Sequence, residues 1–381
     1  MAGNLKDRNK NPWYVLATVF GEQPEGAGWL GYDQGLAVKN RRAWNGWFCA
    51  DLTPEERKDR AEKTGLPKAE LRPLTDGERA KVLRHFRERM GADVELPDRS
   101  QDIDFSETDF ARPVIFEQFV FEETTHFHSA TFSGYTLFRS ATFSGAAGFG
   151  SATFSGTADF RSATFSGYAL FSSAKFKLTT SFKDARFLTA VPQFHATELY
   201  DDTVFTLPEN YRDNWPPIFG QEELKGVDKP RVVMPAVDQK RAYNRLRLFM
   251  NKTLQTDEEQ FFHRQEMRCK KQTDGWAYWL IYTIFEGLSD YGNSVWWPAM
   301  FLFVLWTLGV AVLASFDMNQ KLYHAAGWSF ANLFPFFGFR RFYDTSDYHG
   351  WLALIAGVQT VFGFILLFFH ALGQPNRFRL R

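Results

Sequence analysis

Through the middle of the chain a phenylalanine returns after alternate gaps of five and six residues, at Phe105, Phe110, Phe116, Phe121, Phe127, Phe132, Phe138, Phe143, Phe149, Phe154, Phe160, Phe165, Phe171, Phe176, Phe182 and Phe187. Neither a 3.6-residue helix nor a simple alternating strand keeps such a series on one face. An eleven-residue repeat of this length predicts a solenoid with short flat sides. Two positions before most rings stands a small residue: Ala130, Ala141, Ala152, Ala163, Ala174 and Ala185 in one series, Thr136, Ala147, Ala158, Ala169 and Thr180 in the other. Coils of a β-solenoid stack about 4.8 Å apart, so a ring can lie on its counterpart while the small side chain fills the remaining corner. Phe132, Phe143, Phe154, Phe165 and Phe176 are thus predicted to be core, and Ser144, Arg161 and Lys175 to face outward. Ser-Gly and Ser-Ala pairs after the rings supply the turns.

Polar patterning resumes on both sides. Residues 1–101 contain Trp13, Trp29, Trp44 and Trp47 and predict helices at 54–63 and 75–90. Thr53 is the expected N-cap, followed by Pro54 and closed by Glu56 as a capping box. A solenoid needs its open end covered, which makes this region an aromatic cap rather than a tryptophan-lined ligand site. After the repeats, 238–254 and 258–271 read as charged helices in a linker spanning 209–275. Their apolar faces hold Tyr243, Leu246, Phe249 and Met250, then Phe261, Phe262 and Met267. His263 and Glu266 have helical spacing for a metal pair but no third ligand, so ion pairing is the expectation.

The last hundred residues change character. Segments 296–316 and 351–372 carry no formal charge, are each long enough to cross about 30 Å of hydrocarbon, and begin at Trp296 and Trp351. Between them 325–339 is apolar but too short to cross, and 276–288 predicts an interfacial helix. Lys270, Lys271, Arg377, Arg379 and Arg381 place both ends in the cytoplasm, against the weaker contrary signal of Lys321, Arg340 and Arg341. The opening residues hold no apolar leader core.

Composition narrows the function. Basic and acidic residues balance at 44 each among 381. The repeat region 102–208 has 12 Asp or Glu against 7 Lys or Arg, too scattered for an acidic nucleic-acid mimic or a basic binding stripe. Cys49 and Cys269 make neither a disulfide framework nor a metal cluster. No nucleophile elbow, phosphate loop or paired catalytic carboxylate stands out, so neither an enzyme nor a cofactor is expected.

The repeat resembles the pentapeptide-repeat family. That resemblance implies a right-handed, four-sided β-helix over 102–208, here with 22 residues and four sides per coil and about five coils, roughly 24 Å long. The register slips after Phe187, where Phe194, Leu199 and Phe205 are the next candidates and a bulge at Val191-Pro192 is expected. The fold class is accordingly a mainly β solenoid with flanking α-helices and two transmembrane α-helices. Span, short dipping segment and span resemble the pore module of the tetrameric cation-channel superfamily, in an arrangement like that of bacterial membrane proteins. This second resemblance implies a homo-oligomer of four copies in a bacterial inner or plasma membrane, passing an inorganic ion, with a cytoplasmic protein partner on the solenoid. The family's Thr-Val-Gly-Tyr-Gly has only Phe337-Gly338-Phe339-Arg340 as its counterpart, so potassium selectivity is not implied. Asn332, Phe337, Gly338, Phe339 and Gln359 are the candidate pore or inter-subunit positions, with a hydrogen bond between helices as the alternative for Gln359. A membrane-anchored scaffold without conduction is the competing reading.

Overall fold

The computed structural model describes residues 5–28, 31–205, 214–216, 218, 234–316, 322–342 and 350–377. Two compact units divide the chain, Met1–Cys269 and Lys270–Arg381. The boundaries expected at 101 and 208 therefore lie inside the first unit. Trp29, Pro208, Lys321, Arg379 and Arg381 lie outside the described residues.

The phenylalanine period is the solenoid. Sixteen two-residue strands between Ile103 and Phe187 pair in parallel to form four sheets of four strands. Partners are 22 residues apart, as in Phe110 beside Phe132, Phe132 beside Phe154, and Phe154 beside Phe176. Their rings lie face to face: centroids are 4.6 Å apart for Phe132 and Phe154 and 5.0 Å for Phe143 and Phe165. Phe132, Phe143, Phe154, Phe165 and Phe176 are all buried.

The alternation of five and six records two kinds of corner. Each five-residue corner turns through a left-handed residue two places after its ring, at Glu107, Gln118, Ser129, Ser140, Ser151, Ser162, Ser173 and Asp184. The six-residue corners use an extra residue instead, and their glycines serve close stacking. A Cβ on Gly167 would stand 2.6 Å from the carbonyl oxygen of Gly145. Ser-Gly thus marks corners where coils touch, not corners that need positive φ.

Four coils are complete, and single bridges at Gln193, Glu198 and Val204 carry the chain into part of a fifth. Bends at 188–190, just before the expected bulge, insert one residue. Phe194 consequently stacks on Phe171 and Phe205 on Phe182, each pair 23 apart. Ser144, expected in solvent, is a correction: its hydroxyl is enclosed, because the helix Pro54–Thr64 lies over the Thr142–Phe143 strand. Arg161 is half-exposed, and Lys175 is exposed and pairs with Glu198 at 3.1 Å.

The amino-terminal region covers the first coil with α1 (Pro12–Ala17), α2 (Gln34–Phe48), α3 (Pro54–Thr64) and α4 (Asp76–Met90). Thr53 and Glu56 close the expected capping box on α3, and Thr75 with Glu78 makes a second on α4. Trp44 is fully buried, 5.4 Å from Phe121 and 5.6 Å from Phe119. It also donates from Nε1 to the Val120 carbonyl at 2.9 Å, while Asn45 accepts from Val120 N and donates to Gln118 O. These bonds satisfy backbone groups that an open edge strand would leave unpaired. Phe119 occupies a position that holds alanine in later coils, since here the neighbour above is Trp44. At the other end α5 (Ala236–Lys252) and α6 (Thr256–Thr273) bring Tyr243, Phe261 and Phe262 around Trp215, which packs on Phe187 at 5.2 Å. The division between units falls within α6. Glu266, on its buried side, pairs with Arg247 at 2.9 Å and accepts from Asn244 at 3.2 Å.

One side of the solenoid carries a ladder of charges. Glu117, Arg139, Arg161 and Lys183 repeat every 22 residues, and the buried Asp159 accepts from Arg161 at 2.6 Å and from Arg139 at 3.1 Å. Burial acts to raise the Asp159 pKa, but hydrogen bonds from the Arg161 side chain and backbone and from Arg139 outweigh it and hold the carboxyl below its ordinary value.

Replacing Phe154 by Ala should cost about 3–5 kcal/mol, because its ring is stacked on both sides and the rigid coils cannot close the gap. Denaturant unfolding of the full chain measures this; a loss under about 1 kcal/mol would place the ring outside the core. The depressed Asp159 pKa adds stability that is present above the unfolded carboxyl pKa of about 3.9 and disappears as pH falls through the lower folded value. Asp159→Asn should therefore be less stable than wild type at neutral pH, with the difference shrinking in melts at pH below about 4.

Candidate functional site

The second unit contains α7 (Trp276–Ser289), α8 (Trp296–Phe316), α9 (Leu322–Leu333) and α10 (Gly350–Arg377). Segments Trp296–Ser315 and Gly350–Gly373 are long and apolar enough to cross a membrane. The short helix α9 packs against both α8 and α10, and two 3₁₀ turns, Pro335–Phe337 and Phe339–Phe342, follow it.

Four polar residues of this unit, Ser329, Asn332, Gln359 and Thr360, converge where the three helices meet. Gln359 on α10 is 2% exposed and donates from Nε2 to the Leu305 carbonyl at 3.1 Å and to Ser329 Oγ at 2.6 Å. Its Oε1 accepts from Asn332 at 3.4 Å. Ser329 in turn donates to the Trp306 carbonyl at 2.8 Å, Trp306 Nε1 to Ala326 O at 3.0 Å, and Thr360 to Asn332 O at 2.9 Å. Three helices are therefore pinned through side chain to backbone bonds, which are strong where water cannot compete. Gly309 makes the approach feasible: a Cβ there would collide with Ser329 and Gln359.

Of the five candidate positions, the structure brings Asn332 and Gln359 together and sets the other three apart. Asn332 and Gln359 are enclosed by helices of their own chain. Phe337 is 63% exposed, Phe339 is also exposed, and Gly338 between them has φ of 75°, the left-handed region open to glycine. Phe330, Phe334, Phe336, Phe337 and Phe339 form a continuous aromatic group, with Phe336 and Phe337 at 4.6 Å. Sequence reading missed Ser329 and Gly309, although their match to Gln359 in this three-helix junction leaves no spacing signal along the chain.

α7 presents Trp276, Trp279, Leu280, Ile281 and Ile284 outward, Trp276 being 83% exposed. Lys271 pairs with Glu286 at 3.0 Å and lies over the Trp279 ring, joining the two ends of this segment. Among the described residues no cluster of His, Cys, Asp or Glu is arranged to hold a metal ion.

The four-sided parallel coil defines the first unit as a β-solenoid of the repeat class. Residues 127–175 match the family model for pentapeptide repeats (9 copies), and the coil continues on both sides of the matched stretch. No curated protein matches the chain, and no solved structure does.

Gln359→Leu should lower the thermal stability of the detergent-solubilised protein by about 1–2 kcal/mol, since it strips partners from Ser329 and Asn332 without leaving a void. Combining it with Ser329→Ala should cost less than the sum of the two single changes, by about 0.5 kcal/mol or more. Strict additivity in melting curves would show that the two side chains do not interact.

Proposed function

We propose that the chain is a membrane-anchored solenoid scaffold. In this reading α8 and α10 cross the bilayer, α7 lies along its surface, both ends are cytoplasmic, and the solenoid offers its sides to a protein partner. One observation carries it: Gln359, Ser329 and Asn332 are turned inward onto one another, while the large exposed side chains of α10 are Trp351, Leu354, Val358, Val361, Phe362, Phe364, Ile365, Phe368 and Leu372. Such a surface suits lipid tails. A water-filled path would favour a polar stripe on the helix that lines it. The exposed aromatic face of α7 suits the headgroup boundary for the same reason, with an apolar body and polar tips.

A conducting homo-oligomer is the second reading, favoured by the seating of α9 between α8 and α10 and by Gly338 just after it. Four copies would place Phe337, Gly338 and Phe339 near the axis and pass an inorganic ion. The aromatic group at that place supplies no ring of polar ligands.

The purified full-length protein, reconstituted in liposomes, should resist extraction by alkaline carbonate and give no more ion flux than protein-free vesicles. Flux that disappears on substituting Gly338 would replace the anchor by the pore. Release of the protein by carbonate would remove both. In cells, a cysteine label at position 8 or 379 should be protected and one at 347 accessible from outside; the opposite pattern would invert the orientation.

A further inference from the structure

A groove of about 970 Å³ runs along one corner and one side of the solenoid. Its floor is low because the corner positions are Ser133, Gly134, Ser155 and Gly156, kept small by the stacking of coils. In the next coil the equivalent of Gly134 and Gly156 is Leu178, which stands up at 46% exposure near the similarly exposed Val204. Its charged lining residues are Glu25, Asp159, Arg161 and Lys183, the last two from the charge ladder.

We propose that this groove binds an extended acidic peptide carrying an apolar side chain, which rests on the scaffold reading and names where its partner docks. Charge supports the choice. Asp159 on the floor pairs with Arg139 and Arg161, Arg139 pairs in addition with Glu117 at 3.5 Å, and Lys183 has no ion pair among the described residues. Within the groove, the uncompensated charge on the coil that carries Leu178 is therefore that of Lys183. A carboxylate of the ligand meets Arg161 and Lys183 while its apolar neighbour covers Leu178 and Val204. The ligand cannot join as another strand, because the backbone here is spent between coils: Thr136 N donates to Thr157 O at 2.9 Å and Ala158 N to Thr179 O at 3.2 Å. Recognition must come from side chains. Four coil spacings, about 19 Å, accommodate roughly six extended residues.

The test uses the full-length protein in detergent and a fluorescent eight-residue peptide alternating Glu and Leu. Saturable binding is expected, weakened about tenfold by Lys183→Glu and similarly by Leu178→Asp, and weakened again as NaCl rises from about 0.05 M to about 0.5 M. Both side chains are exposed, and matching unfolding curves for the variants establish that the coil is intact. A Lys-Leu peptide that binds as tightly, preference for a single-stranded oligonucleotide, or binding indifferent to both substitutions would overturn the proposal. Carbonate resistance is read on the same variants. Its persistence without peptide binding removes the groove and leaves the anchor, whereas its loss removes the anchor.

Discussion

The stacking of one phenylalanine on the next, 22 residues away, governs the rest of the first unit. Parallel strands fix the coil spacing near 4.8 Å, and flat rings fill that interval with little empty space. Every other regularity follows from the need to keep the rings in line. Small residues yield room at the corners, glycines permit the coils to touch, and left-handed residues turn the chain where only five residues separate rings. A single inserted residue near 188–190 is tolerated because it falls in a corner, so Phe194 and Phe205 still find Phe171 and Phe182 beneath them.

The sequence exposed this interior because the constraint is local and repeated: a ring and a small residue recur at offsets that need no knowledge of distant partners. Helix starts such as Thr53-Pro54 with Glu56 were legible for the same reason. What lay beyond reading depends on surfaces meeting. Nothing near Ser144 in sequence announces that α3 would enclose its hydroxyl, and nothing near Phe119 announces Trp44. The two uses of Ser in the corners, left-handed at Ser140 and not so beside glycine at Ser144, also share one letter.

The second unit shows the same limit more sharply. Its apolar helices were visible from length and composition, and Gln359 stood out as a polar residue among apolar ones. Its partners did not, since pairing Gln359 with Ser329 and the Leu305 carbonyl depends on the rotation of three helices about their axes. Once they are placed, a residue that could have faced water is occupied inside its own chain, and the aromatic group after α9 becomes the more informative feature. Polarity along a sequence therefore marks a constraint without saying whether that constraint is conduction or cohesion.

The bonds from Trp44 and Asn45 to the backbone of the first coil have a consequence for assembly. A parallel solenoid exposes complementary donors and acceptors at its two ends, so one molecule's last coil could template another's first, and such head-to-tail contacts do not close on themselves. By occupying Val120 N, Val120 O and Gln118 O within the same chain, the cap makes the first coil a terminus instead of a growing end. The aromatic group around Trp215 covers the opposite end. The finite length of the rod is thus set by its lids, and without them the repeat itself contains no instruction to stop short of a filament.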